Sequence, residues 1–440
     1  MITPSFPVLT LSLGHALSLT PGLLVLRLAD RLPDKELNAA TRSYDEAALG
    51  DERNLPRKGG WCLVTLAVMT AVRFSSDVYG RRLAAAGRAA AAGGLAGLIV
   101  TPGYDLRYLI GSRAQTFERL TALVIPATGD PVIVLPRMES ASLRESAVDD
   151  LGLTVRDWVD GQNPYDLVAL ALGGHARVAV TDSMPALHLL PLAERLGAVP
   201  VLGTAIMAGL RMIKDPAEVE ALRRAGAAID RVHARVPEFL KPGRTEASVA
   251  AEITEAIVAE GHSEAAFVIV GSGPNGADPH HECSDRELQP GDVVVVDIGG
   301  PVEPGYNSDC TRTYCIGEPT AEIAQQYAVL QRAQAAAVAA VRPGVTAEQV
   351  DAAARDVLAE AGLADYFVHR TGHGIGLSVH EEPYIVAGND QPLKEGMAFS
   401  VEPGIYLPGR WGARIEDIVI VTADGALPVN TRPHDLAVVG

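Results

Sequence analysis

Asp297, Asp309, His373, Glu402 and Glu416 follow one another through the last third of the chain, and each carries a side chain able to ligate a metal ion. Asp297 ends the apolar run Val293-Val294-Val295-Val296. Asp309 lies in Tyr306-Asn307-Ser308-Asp309-Cys310-Thr311, and His373 in Thr371-Gly372-His373-Gly374-Ile375-Gly376. Glu402 opens Glu402-Pro403-Gly404-Ile405-Tyr406, and Glu416 lies in Arg414-Ile415-Glu416-Asp417. Four carboxylates and one imidazole suit two divalent ions that share bridging oxygens. Such a pair makes hydroxide at neutral pH and clamps a tetrahedral intermediate. Hard oxygen donors with one imidazole favour Mn2+, Co2+ or Zn2+ over soft metals, and Mn2+ is the first choice.

These side chains need elements that aim them at one place. Asp297 closes an apolar strand and Asp309 lies on the next one, as a hairpin allows. Glu402 and Glu416 repeat that arrangement. Two strand pairs can therefore bring four carboxylates into one cleft. Gly372, Gly374 and Gly376 let the backbone pass close to it. A single acidic residue at a strand end is ordinarily a turn or surface group. The weight rests on the set.

Around the site the periodicity predicts two folded domains. From Val78 to Gly97 the chain is Ala- and Arg-rich at helical spacing, and Leu98-Ile99-Val100 reads as a strand. Apolar runs at 120–125 and 131–135 flank Thr128-Gly129-Asp130 as a hairpin. Strands at 153–155 and 178–180 alternate with helices at 164–172 and 185–196. Residues 74–213 thus read as an α/β domain. Lys214-Asp215-Pro216 marks a break, with Asp215 as a cap and Pro216 at the first helical position. Val219, Leu222, Gly226, Ile229, Val232 and Val236 then line one face of a long helix. Further helices follow Thr245, Thr320 and Thr346, the last with the capping-box spacing to Gln349. Strands are expected at 267–271, 292–299, 309–316, 398–405, 414–421 and 435–439. Residues 214–440 therefore read as α+β with a largely antiparallel sheet.

Composition narrows the function. The 440 residues carry a net charge of −17, with no basic run, which argues against a nucleic-acid partner. Four cysteines without a CxxC pair make a reducing cytoplasm the default. Cys310, beside Asp309, reads as a small core residue. Residues 1–26 hold no Lys, Arg, Asp or Glu, so they lack the basic start of a signal peptide. Pro7, Gly14, Pro21 and Gly22 interrupt them and argue against a membrane span. Residues 1–73 as a whole are expected to be a disordered extension or a mis-assigned start, with Met69 as the alternative start.

The five residues in their settings closely resemble the pita-bread metallopeptidases: aminopeptidase P, prolidase (Xaa-Pro dipeptidase), methionine aminopeptidase and the metal-free creatinase. The resemblance covers residues 74–440 and is sharpest between 280 and 416. It implies a creatinase-like N-terminal domain, then a pita-bread catalytic domain with a curved, largely antiparallel sheet. It implies that Asp297 holds one metal, that Asp309 and Glu416 bridge both, and that His373 and Glu402 complete the second site. Glu402 would also take the proton from the bridging water. His380 matches the histidine that hydrogen-bonds the substrate carbonyl, and His280 and His369 match two further active-site histidines. Proline-containing peptides as substrates and a homodimer are implied as well.

All five ligand positions are kept, which favours a metalloenzyme over a creatinase-like chain. The domain at 74–213 resembles aminopeptidase P and prolidase more than methionine aminopeptidase. Both enzymes cleave before proline, whose missing amide N–H and restricted neighbour defeat general peptidases. Microbial prolidases often carry an Arg four residues beyond the histidine matching His380, where it binds the dipeptide carboxylate. This chain has Tyr384 there, and no Arg between His380 and Glu402. The departure leans the expectation toward an aminopeptidase P-like enzyme, with prolidase as the alternative. A catalytically inactive binding protein on the same fold is the alternative of another class.

Overall fold

The computed structural model describes residues 73–440 apart from 116–117 and 175–176, together with two short strands further upstream. Those strands, Leu24–Arg27 and Leu63–Leu66, pair antiparallel with Leu24 opposite Leu66, in a unit separate from the body of the chain. The expectation of an extension over 1–73 otherwise lies outside the described residues.

The first domain is built on a mixed six-stranded sheet. Its strands run in the order Thr154–Trp158, Val132–Pro136, Ala122–Pro126, Gly97–Val100, Ala179–Val180 and Val201–Leu202. The anticipated hairpin is present, with Leu123 opposite Ile133. Both faces of the sheet are covered, so its central strands are buried throughout and read as unbroken apolar runs. Leu98 and Val100 face the helices Ser76–Ala92 and Thr204–Arg211, while Ile99 faces Pro164–Ala171 and Ala186–Leu196. Sequence periodicity passed over the short helices Tyr104–Ile110 and Thr204–Arg211. Seven or eight residues span only about two turns, too few for a helical period to stand out.

The anticipated break is a full capping box. The Asp215 carboxylate accepts from the N–H groups of Ala217 and Glu218, and Glu218 Oε2 accepts from Asp215 N–H. The helix Pro216–Phe239 buries the predicted face, with Val219 only half-buried. With Glu246–Ala259 it packs on a four-stranded sheet ordered Ala437–Val439, Tyr306–Ile316, Val293–Val302, Phe267–Ser272. A second helix pair, Ala321–Ala340 and Ala347–Glu360, packs on a five-stranded antiparallel sheet. Its order is Glu381–Ile385, Gly372–Gly374, Ala398–Val401, Asp417–Thr422, Gly425–Pro428. The core is continuous between the two domains: Leu98, Leu106 and Met207 share a cluster with Leu222, Ile375 and Ile418.

Two strands expected to be continuous are broken. The segment at 398–405 divides into Ala398–Val401 and Gly404–Leu407, and that at 414–421 is interrupted at 415–416, between Trp411–Arg414 and Asp417–Thr422. Pro403 has no N–H for a ladder, so the chain leaves the five-stranded sheet there and forms a separate hairpin. Glu402 and Glu416 sit at the two breaks. Among the described residues, no helix is long and apolar enough to cross a membrane.

Candidate metal centre

The antiparallel register sets the first two carboxylates. Asp297 pairs with Thr311, and Gly299 with Asp309. Residues two apart on a strand share a face, so Asp297 and Asp309 are diagonal neighbours on one side of the sheet. The second sheet ends its pairing at Val401 opposite Asp417, which places Glu402 and Glu416 side by side just beyond it. The two pairs are stitched together. Glu416 N–H donates to the Thr311 carbonyl at 3.2 Å, and Thr311 Oγ1 donates to Glu416 Oε2 at 2.7 Å. Arg312 holds the Glu416 carbonyl at 2.6 Å and the Asp417 carboxylate at 2.7 Å. Cys310 is buried beneath, its thiol 3.6 Å from the Glu416 carbonyl.

His373 reaches the same place from the three-residue strand Gly372–Gly374. That strand passes so close to Ala398–Val401 that a Cβ at residue 372 would lie 1.8 Å from the Ser400 carbonyl oxygen, and only glycine fits. The His373 N–H donates to Ser400 Oγ at 3.0 Å, and Ser400 Oγ donates in turn to Glu402 Oε1 at 3.0 Å. His373 Nδ1 lies 3.2 Å from the Gly374 carbonyl, which only accepts, so the ring proton belongs on Nδ1. The Nε2 lone pair then faces Asp309 Oδ2 at 3.6 Å and Glu402 Oε1 at 3.3 Å.

All eight residues singled out from the sequence line one cleft of about 690 Å³: Asp297, Asp309, His373, Glu402, Glu416, His280, His369 and His380. Asp309, His373 and Glu416 offer donor atoms within 4.8 Å of one another. The histidines differ in setting. His280 and His380 are exposed in the cleft, and the His380 ring meets the His373 ring edge-on at 4.1 Å between centroids. His369 is more enclosed: its Nδ1 donates to the Arg370 carbonyl at 2.7 Å, and its Nε2 accepts from Tyr406 OH at 2.8 Å. Burial pushes its basicity down to about 3.

Several participants were not assigned a role from sequence. Tyr406 OH also accepts from Arg414 Nη1 at 2.7 Å, and Arg414 Nη2 donates to Asp297 Oδ2 at 2.5 Å. Arg414 thus orients a carboxylate of the site. His281 is tied away from the cleft, its Nε2 2.7 Å from the buried Glu246 carboxylate. Glu246 also accepts from Ser272, Asn275 and Ser284 and so anchors the loop that carries His280. Tyr104 reaches the cleft from the first domain. Arg370 lines it too, with its guanidinium 4.5 Å from the centre of the Tyr384 ring.

The donor set fits divalent cations. Asp297 Oδ1 is buried with no hydrogen-bond partner, a costly state for a carboxylate oxygen. Burial, then the charges of Asp297 and Glu402, hold the Asp309 carboxyl far above its usual range. Burial, then Asp309 and Glu402, do the same to Glu416. Glu402 is pushed up to about 7, first by burial. Like charges gathered out of water call for a cation among them.

A pH test follows. The Glu402 carboxyl binds its proton more tightly in the metal-free fold, at about 7, than at its ordinary 4.5. Its stabilising effect is therefore complete below 4.5 and is lost as pH rises through 7. The metal-free protein is expected to melt at falling temperature from about pH 5 to about pH 8, while the Tm gain on adding a divalent ion grows over that interval. Calorimetry with and without chelator measures both, and a metal-induced gain independent of pH would contradict the account.

Residues 220–423 match Metallopeptidase family M24, and residues 82–213 match the Creatinase/Prolidase N-terminal domain. The probable dipeptidase PepE of Mycobacterium tuberculosis is 73% identical over 368 residues, covering 83% of this chain and 98% of its own. This chain belongs to metallopeptidase family M24. Membership brings divalent metal binding and hydrolase chemistry with it. An Xaa-Pro dipeptidase of Lactobacillus helveticus is 34% identical over 343 residues, 76% of this chain and 92% of that one. The crystal structure of dipeptidase PepE from Mycobacterium ulcerans superposes with a TM-score of 0.82 at 75% identity, over 83% of this chain and 99% of the other. The pita-bread architecture with its creatinase-like N-terminal domain is thereby established.

Proposed function

We propose that this chain is a dinuclear metal-dependent Xaa-Pro peptidase that acts on dipeptides. The observation that carries the reading is the convergence of four carboxylates and the His373 lone pair on one cleft, with His280 and His380 exposed beside them. Relatives named dipeptidase and Xaa-Pro dipeptidase support the dipeptide substrate. A second reading, an aminopeptidase P-like enzyme acting on longer peptides, is favoured by Tyr384 at the place of the carboxylate-binding Arg. Mn2+ as the resident ion, a homodimer and a cytoplasmic location complete the proposal.

Asp309 and Glu416 would hold both ions, Asp297 one, and His373 with Glu402 the other. Such ions supply a strong oxygen nucleophile at neutral pH and Lewis-acid stabilisation of the developing charge. The protein's own groups do the rest. Arg414 and Thr311 fix the Asp297 and Glu416 carboxylates in place by hydrogen bonds. Ser400 fixes Glu402 through Oε1, which leaves Oε2 to carry the proton released during attack. His380 donates to the scissile carbonyl, steadied edge-on against His373. His280 orients the substrate from the opposite loop. The Tyr406–His369 pair holds Arg414 in turn, so these two act by positioning.

The test is a substrate panel. With added Mn2+ the protein should cleave Xaa-Pro dipeptides and leave Xaa-Ala dipeptides largely intact, and chelation should stop the reaction. Equal cleavage of both, or cleavage insensitive to chelator, would overturn the proposal.

A further inference from the structure

His280 reaches the cleft on a stretch of chain that no strand or helix holds. Between the 3-10 turn Gly273–Ala277 and the strand Val293–Val302 the chain belongs to no regular element, so His280 lacks the ladder that fixes Asp297 and Asp309. Glu246 takes the place of that ladder. It is fully buried at the first position of the helix Glu246–Ala259. Its Oε1 accepts from Ser272 N–H at 2.8 Å and Ser272 Oγ at 2.6 Å. Its Oε2 accepts from Ser284 N–H at 3.2 Å and Ser284 Oγ at 2.6 Å. Asn275 Nδ2 donates to both oxygens, at 3.2 and 3.1 Å, and His281 Nε2 donates to Oε2 at 2.7 Å. These partners flank His280 on both sides along the chain. Backbone and amide N–H groups only donate, so an ionised carboxylate is the group that satisfies them all. Burial works to raise the Glu246 carboxyl, yet the hydrogen bonds from Ser272, Ser284 and His281 outweigh it and hold it below its usual range. Consecutive histidines then face opposite ways, His281 toward Glu246 and His280 into the cleft. On the cleft side the Pro279 carbonyl accepts from Arg414 Nη1 at 3.4 Å, and the same guanidinium holds Asp297.

We infer that Glu246, from behind the cleft wall, is a positioning residue for peptide hydrolysis and acts through His280. This rests on the peptidase reading and deepens it. The carboxylate ties the end of the strand Phe267–Ser272 to the far side of the loop at Ser284. His280 is thereby held toward the substrate before the substrate arrives. A slack loop would have to lose that freedom at each binding event, at the expense of affinity and rate.

The experiment is a double-mutant cycle on kcat/KM for an Xaa-Pro dipeptide in the Mn2+-loaded protein. His280→Ala should lower kcat/KM by about 10-fold, the scale of one lost hydrogen bond. Glu246→Gln, which turns an NH2 group toward donors, should lower it by about 5- to 10-fold in the native background and by less than about 2-fold in the His280→Ala background. Metal content should equal the parent's. A residue that only stabilises the fold would cost the same in both backgrounds. Ser284→Ala keeps the carboxylate and removes one of its donors; it should show a smaller loss with the same dependence on His280, and it serves if Glu246→Gln fails to fold. Independently of turnover, amide hydrogen exchange in Glu246→Gln should quicken across residues 273–284 and keep the parent's rate in Val293–Val302. Equal losses in the two backgrounds, or unchanged exchange at 273–284, would overturn the inference. A native protein that cleaves no Xaa-Pro peptide would overturn the peptidase reading, and the exchange comparison would still decide whether Glu246 holds the loop.

Discussion

The Asp309→Ala and Glu416→Ala proteins are expected to show no measurable peptide hydrolysis and to bind one metal ion or none. Each carboxylate is buried where two sheets meet, and each is proposed to contact both ions. Loss of either therefore removes a ligand from two ions at once. A purely structural role would show itself differently, because removing a structural carboxylate lowers stability whether or not metal is present. Here burial and the neighbouring carboxylates work against Asp309 in the absence of metal. Metal-free Asp309→Asn should therefore melt no lower than the metal-free parent, while its Tm gain on adding Mn2+ shrinks. Elemental analysis, hydrolysis assays and calorimetry read these effects. Full loading with near-normal turnover in either alanine variant would remove these residues from the centre.

His380→Ala is expected to cut kcat by about 10²–10³-fold, the scale for losing one donor to a developing oxyanion. The side chain is exposed in the cleft and packs edge-on against His373. It is not one of the five side chains proposed to hold the ions. Metal content should accordingly stay near that of the parent. If metal and activity disappear together, His380 is a ligand instead.

What the sequence made legible was local. The run Val293–Val296 before Asp297, with Asp309 on the next strand, is an unbroken apolar stretch with a polar end, and the hairpin is there. Thr346 and Gln349 show the capping-box spacing, and the Thr346 N–H does donate to Gln349 Oε1 at 3.0 Å. The glycines around His373 mark a close approach of two backbones. The breaks at Glu402 and Glu416 were hidden because Val401 beside the first, and Ile415 and Ile418 around the second, are strand-forming residues, and only Pro403 hints at the change of sheet. A three-residue strand such as Gly372–Gly374 is too short to carry a period. Contacts made across the fold left no trace at all. The Tyr406–Arg414–Asp297 chain and the seating of Arg370 on Tyr384 depend on a hairpin and a strand pairing, not on spacing along the chain. That residue 384 is a tyrosine was visible, whereas the Arg370 guanidinium over its ring was not.

The five proposed ligands should form a two-metal centre that hydrolyses the bond before proline. Titrating metal-free protein with Mn2+, while bound ions per chain and Xaa-Pro hydrolysis are followed together, tests it most directly. Two ions per chain are expected, with activity appearing as the sites fill and none in their absence. A protein that binds no Mn2+ and cleaves no Xaa-Pro peptide would contradict it and would leave a binding protein on a peptidase fold.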